Sequence, residues 1–345
     1  MSLKPFPYIK PFTTHHCVTG SMRRIYEAHG YPISEDLLLG LGAGVGIIYW
    51  EFKGAAPIFG GRANVGRPGE EGLEKTAGRR TGVQVEYFRT SSAGKAEKTL
   101  LELLAASEPV MVYVDMGFLR YLNLPGEYHF GSHAIVVAGY DPETRQVLIA
   151  DRDAELHPLS LEELQQARGS KFKPFPPQHL WCTFDFSQVH APQPDEVWQA
   201  IKEVTTGMLE PPISNLGVKG IRKAASQIVK WPRTMPLEAL RWNVFNLFIF
   251  IDATGGTGGG IFRYMYGRFL HEAAQITGCQ DLVAVGNELQ AIGDRWQMIA
   301  GIFKQAWEHA PGDDPDPAAL LPEAAERMLA IADQEQAAWE QLRKI

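Results

Sequence analysis

Cysteine is scarce in this 345-residue chain: it occurs at positions 17, 182 and 279, an odd number without paired or metal-type spacing. That fits a reducing compartment better than a disulfide framework. Long apolar runs are missing too. The longest, VFNLFIFI at 244–251, falls far short of the roughly 20 residues that span a bilayer. The opening MSLKPFPYIKPF lacks the continuous apolar core of a signal peptide. Nor is there an excess of positive charge: 33 Lys and Arg against 40 Asp and Glu give a net charge of −7, which argues against generic nucleic-acid binding. The expectation is a cytoplasmic protein with neither a nucleic-acid nor a membrane partner.

What is present reads as two domains, since the chain is long for one core. The first 190 residues mix helix and strand signals. Met22, Ile25, Tyr26 and His29 share one helical face, and Gly30 offers a stop. SEDLLLGLG follows, with Ser34 as cap. Strand-like runs come at 83–89, 109–115, 133–141, 146–151 and 179–186, and helical runs at 95–107 and 160–168. DPET between the third and fourth of these strands predicts a hairpin. After the polar SQVHAPQPDE (187–196) the periodicity is almost wholly helical. The expected domains are therefore 1–191 and 192–345. The expected fold class is α+β: an antiparallel-sheet domain, then a mostly α-helical domain.

The chemistry centres on TTHHCVTGSMRRIYEAHG, residues 13–30. Cys17 falls in the first turn of a helix, with Thr13 or Thr14 as cap, where the helix dipole and free N–H groups favour a thiolate. His133 opens the strand HAIVVAGYD and Asp151 closes the next, VLIAD. A tight hairpin brings such positions together, so that the carboxylate fixes the imidazole tautomer and stabilises imidazolium. The order Cys, His, Asp is that of papain-like folds. The nearby Asp153 is the alternative orienter; Asp151 is preferred because it directly ends its strand.

The stretch HHCVTGSMRRIYEAHGYPISEDLLLGLGAGVGIIY also resembles the opening of the butirosin biosynthesis protein H N-terminal domain family. PIFGGR (57–62), the His133 strand and GYD (139–141) extend the likeness over roughly residues 13–190. The His and Asp strands look as well like bacteriocin-processing cysteine peptidases of the papain-like class. The later half, with GTGGGIFRYMYGRFLHEAA (256–274), resembles the helical domain of unstated role that often follows. The resemblance implies an enzyme of antibiotic biosynthesis that moves an aminoacyl group from an acyl carrier protein, or another thioester donor, to an amine on a small molecule. It makes Cys17 the acyl acceptor, His133 the general base and acid, and Asp151 its orienter. The rival readings are hydrolysis of a peptide or amide by the same site, and a non-catalytic binding module that kept the fold. Papain-like peptidases place an oxyanion-donating glutamine about six residues before the cysteine. Position 11 is Pro11 here, leaving the N–H of Cys17 with a donor from Thr14, His15 or His16.

Other signals are weaker. His16, beside the thiol, and Arg62, whose forked donors suit a carboxylate or a phosphate, are candidate substrate-binding residues. Arg23–Arg24 and Arg79–Arg80 are either solvated faces or contacts for an acidic carrier protein. GLGAGVG (40–46) follows a helix rather than a strand and reads as tight turns, not dinucleotide binding. DATGGTGGG (252–260) reads as a connection or a close helix approach, with anion binding assisted by Arg263 as the alternative. His129 and His133 stand on a loop and a strand, where a spacing of four does not align them. No metal and no cofactor is expected. Cys182 and Cys279 look structural, and the helical half is expected to cover the cysteine or to form a homodimer interface.

Overall fold

A computed structural model describes residues 4–52, 55–124, 128–173, 175–309 and 316–345. The fold is α+β, with antiparallel sheets in its earlier part and a mostly helical later part. In chain order the elements begin α1 (Cys17–Ala28), α2 (Glu35–Leu41), β1 (Val45–Phe52), β2 (Ala55–Arg62) and α3 (Leu73–Arg79). Next come β3 (Gln84–Phe88), α4 (Ala93–Ala105), β4 (Val110–Val114), β5 (His133–Asp141), β6 (Gln146–Ala150), β7 (Leu156–Ser160), α5 (Leu161–Gly169) and β8 (Trp181–Asp185). The helices α6 (Pro194–Leu209), α7 (Gly217–Ile228), α8 (Trp231–Thr234), α9 (Leu237–Ile251), α10 (Arg263–Thr277), α11 (Asp281–Glu308) and α12 (Pro317–Lys344) complete the chain.

These elements group into two compact units. Residues up to Leu38 join Gly66–Ala191, and Leu39–Val65 joins Pro192–Ile345. The segment 39–65 therefore packs with the helices that follow residue 192. Its reason lies in β1: Tyr49 donates its N–H to the Asn215 carbonyl at 2.8 Å and accepts from the Asn215 side chain at 2.8 Å. Ile47, Tyr49 and Phe59 are buried in the same unit.

The first unit is built on a sheet ordered β3–β8–β4–β5–β6–β7, each neighbouring pair antiparallel. Val110, Val112, Val114, Ile135, Val137, Val147 and Ile149 form a core with Leu100 and Leu104 of α4 and Leu161 and Leu164 of α5. Burying such aliphatic side chains contributes roughly 1.5–3 kcal/mol each. Helix α1 packs across β5 and β4 through a buried face that includes Met22 and Ile25. Helix α5 starts with a capping box, in which Ser160 and Glu163 exchange hydrogen bonds.

In the second unit α11 packs on α9, α10 and α12. At its centre Glu335 accepts from Arg263 (2.7 and 2.9 Å), from Trp296 Nε1 (2.9 Å) and from Trp339 Nε1 (2.7 Å). Arg263 also donates to the carbonyls of Gly46 and Ile261. Its guanidinium is thus spent on structure, which removes it from the anion-binding role considered for the glycine-rich segment. That segment instead allows close approach: a Cβ on Gly260 would lie 2.6 Å from the Gly293 Cα. Among the described residues, no helix is long and apolar enough to cross a membrane.

Candidate active site

The N-terminus of α1 is assembled by contacts unlike those expected of Thr13 or Thr14. His16 is the N-cap, its Nδ1 accepting from the Thr19 N–H at 3.4 Å. Thr14 instead donates its N–H to the Arg152 carbonyl at 2.6 Å, anchoring the approach to the helix beside the end of β6. Thr14 also explains the glycine one turn into α1, because a Cβ on Gly20 would lie 2.4 Å from Thr14 Oγ1. Cys17 follows as the first helical residue, partly exposed.

The β5–β6 hairpin supplies the rest. His133 begins β5 and Asp151 immediately follows β6. Both are buried, and His133 Nε2 lies 3.0 and 2.8 Å from the two Asp151 carboxylate oxygens. Since Nε2 serves the carboxylate, Nδ1 is the ring nitrogen left for the Cys17 thiol. Asp153 pairs elsewhere, with His157 Nε2 at 3.0 Å.

The charge states follow from these contacts. Burial pushes the Cys17 thiol up, but the hydrogen bond and charge of His133, the Ala134 N–H and the Arg152 charge outweigh it, and the thiol falls below its ordinary 9.0. Burial pushes His133 down, yet the charge and hydrogen bond of Asp151, with those of Cys17, carry it from 6.5 up to about 9. Asp151 is held at about 2 against its burial by His133 and Tyr121. His133 thus lowers the Cys17 thiol and Cys17 raises the His133 imidazole: each side chain favours the charged form of the other, the direction that makes a cysteine nucleophilic.

Several residues that motif reading missed complete the frame. Tyr121 donates to Asp151 Oδ2 at 2.9 Å, the Arg152 N–H donates to Oδ1 at 2.8 Å, and Tyr121 stacks on His157. Arg24 is buried and donates to the carbonyls of Phe12, Asp151 and Asp153 at 2.6, 2.6 and 2.8 Å. It ties the segment before α1 to the end of the hairpin. Burial of Arg24, and of Arg80, also removes both from the solvated basic faces anticipated for Arg23–Arg24 and Arg79–Arg80. Glu35, buried, accepts the backbone N–H groups of His15 at 2.8 Å and His16 at 3.5 Å. Its carboxyl is raised to about 7 because burial outweighs those hydrogen bonds.

The expected oxyanion donors change accordingly. The N–H groups of Thr14, His15 and His16 are committed to Arg152 and Glu35. The Cys17 N–H remains, since a first helical residue has no intrahelical acceptor. His16 acts as the cap described above, and Arg62, at the end of β2 in the other unit, donates to the carbonyls of Gly44 and Ala63. His129 bonds Asp115 at 2.9 Å and stacks on Phe172, apart from the partner of His133. Among the described residues, no cluster of three or more His, Cys, Asp or Glu side chains has metal-holding geometry.

Two family models match the chain: the N-terminal domain of butirosin biosynthesis protein H over residues 16–152, and a domain of unknown function, DUF4872, over residues 162–342. No curated protein matches it. The first match contains Cys17, His133 and Asp151, and its description links that domain to antibiotic biosynthesis.

Proposed function

The chain belongs to the DUF4872 family and carries the N-terminal domain of butirosin biosynthesis protein H, and from that premise we propose that it is a cysteine-dependent acyltransferase of secondary metabolism. Its donor is a thioester, such as an acyl chain on a carrier protein, and its acceptor is a small-molecule amine. The observation that supports this reading most is the arrangement of Cys17 at the start of α1 with His133 as its hydrogen-bond partner and Asp151 behind the imidazole.

In the first half-reaction the Cys17 thiolate attacks the thioester carbonyl carbon. Charge gathers on the carbonyl oxygen, where the Cys17 N–H and the α1 dipole oppose it. Collapse breaks the donor C–S bond, and imidazolium His133 gives its proton to the departing thiolate. The neutral imidazole then takes a proton from the acceptor amine as its nitrogen attacks the acyl-enzyme, and the Cys17 thiolate leaves. Asp151 stabilises imidazolium and fixes its orientation in both halves. The donor and the acyl-enzyme are both thioesters and close in energy, so acylation runs with little driving force and the amine determines the outcome.

Intact-protein mass measurement after exposure to small acyl thioesters tests the reading. A gain of one acyl group, absent in Cys17→Ala and slowed in His133→Ala, is expected, with transfer to an added amine faster than release of free acid. Faster release of acid would make the enzyme a hydrolase. No adduct with either free or carrier-bound thioesters would leave a binding module.

A further inference from the structure

Between α5 and β8 the sequence reads KFKPFPP (171–177), in which three prolines bar a helix. Its described residues form a strap tied down over the residues that lead into β5. Ser170 donates to Asp115 Oδ2 at 2.6 Å, and the Phe172 ring stacks on His129 with 3.4 Å between centroids. His129 is itself held by Asp115 at 2.9 Å. Farther along, the Phe175 carbonyl sits so close to Gly131 that a Cβ there would lie 2.0 Å from it. Gly131 is two residues before His133, so the strap borders the end of the sheet that carries the imidazole.

The outward side of the strap combines apolar rings with positive charge. Phe172 is 50% exposed and Phe175 37%, and Lys171 and Lys173 stand exposed beside them, without an ion pair among the described residues. Arg89, also exposed, extends the charge by donating to the Gln178 side chain just past the strap at 2.7 Å. Although the chain carries 40 acidic residues, none falls between Glu163 and Asp185. Rings left in water are surface that a partner covers, and lysines without carboxylates beside them steer a partner of opposite charge. The burial of Arg24 and Arg80 takes both away from an acidic carrier protein. The strap presents exposed cations to the same kind of partner, next to the site.

We propose that the strap is the docking surface for the carrier protein that brings the thioester, an acidic partner whose negative face meets Lys171 and Lys173 and whose apolar residues cover Phe172 and Phe175. This role rests on the acyl-transfer reading above. Docking beside the start of β5 sets the carrier next to His133, the hydrogen-bond partner of the Cys17 thiol, and the flexible arm of the donor spans what remains. Because opposite charges act mainly on the rate of encounter, the strap governs how fast the carrier-bound donor arrives and leaves the chemistry at Cys17 as it is.

The test compares Cys17 acylation of the full-length protein by two donors of the same acyl group: a small thioester, and an acidic phosphopantetheinylated acyl carrier protein. In Lys171→Glu/Lys173→Glu the second-order rate constant with the carrier-bound donor should fall on the order of tenfold, while the small thioester reacts at the wild-type rate. Lys171→Arg/Lys173→Arg, which keeps the charge, should retain the carrier reaction. Added salt should slow the wild-type reaction with the carrier and leave that of the glutamate variant nearly flat. Equal losses with both donors would mean a distorted site and overturn the proposal, as would a carrier reaction indifferent to charge reversal or a wild type acylated by small thioesters alone. Binding of the wild type to phosphatidylserine vesicles, abolished by the same reversal, would put a membrane on the strap and equally overturn it. No adduct with either donor in the wild type is the failure of the acyl-transfer reading itself, and the docking role falls with it.

Discussion

Replacing Asp151 by asparagine keeps the shape of the site and removes its anchoring charge. In the wild type both carboxylate oxygens face His133 Nε2, at 3.0 and 2.8 Å. The imidazole stands at about 9 instead of 6.5, which favours imidazolium by a factor on the order of 300, or roughly 3 kcal/mol. Cys17 contributes to that elevation, so the substitution does not erase all of it. If Asp151 supplies half of the free energy, about 1.5 kcal/mol, the thiolate population below the thiol's titration falls by somewhat more than about tenfold.

Iodoacetamide reads this population directly, because only the thiolate reacts appreciably. Alkylation of Cys17 would be followed by peptide mass against pH, with Cys17→Ala as the blank and Cys182 and Cys279 resolved as separate peptides. Wild-type reactivity should rise through a midpoint below 9 and then level. In Asp151→Asn the midpoint should move up by about one pH unit or more, with at least a tenfold lower rate at pH 7. Asp153→Asn should leave the profile in place, since Asp153 pairs with His157. Identical profiles for the wild type and Asp151→Asn would refute the electrostatic argument, and a shift in Asp153→Asn would reassign the orienting role.

Three further outcomes are expected. Tyr121→Phe removes one of the hydrogen bonds that hold Asp151; a loss of about 1 kcal/mol should slow Cys17 acylation roughly fivefold without a change in fold by circular dichroism, and an unchanged rate would exclude a positioning role. Glu35 has a folded pKa of about 7, above its ordinary 4.5, so the stability it contributes is complete below pH 4.5 and lost as pH rises through 7, by roughly 3 kcal/mol. Glu35→Gln should therefore gain melting temperature relative to wild type between pH 5 and 8.5, and a pH-independent difference would contradict the sign. Glu335→Gln leaves fully buried Arg263 without its counter-charge and should cost about 3–5 kcal/mol in urea unfolding. Intrinsic fluorescence reports it, because Trp296 and Trp339 both donate to Glu335, and adding Arg263→Met should restore part of the loss.

The parts of this molecule that were legible in the sequence are those whose signal is local. The β5–β6 hairpin announces itself through alternating apolar runs around a turn, and once it forms, His133 and Asp151 become neighbours whatever the rest of the chain does. Helix α1 announces its span through Met22, Ile25 and Tyr26. Its cap did not, because histidine is a poor predictor of an N-cap and two threonines stood nearby; the choice was settled by the Thr14 N–H, which the Arg152 carbonyl takes from far along the chain. Strand β1 was hidden by the glycine-rich run 40–46 that leads into it, and its membership of the later unit depends on Asn215, a partner that no window of sequence contains. The same holds around the thiol. Glu35 read as an ordinary first-turn acid of α2, and Arg24 as half of a solvated pair, yet both are buried and hold main-chain groups of the loop that delivers Cys17. Motif reading finds groups whose chemistry is rare, a cysteine or a histidine. The residues that fix the geometry of those groups are common types, and only their long-range contacts distinguish them.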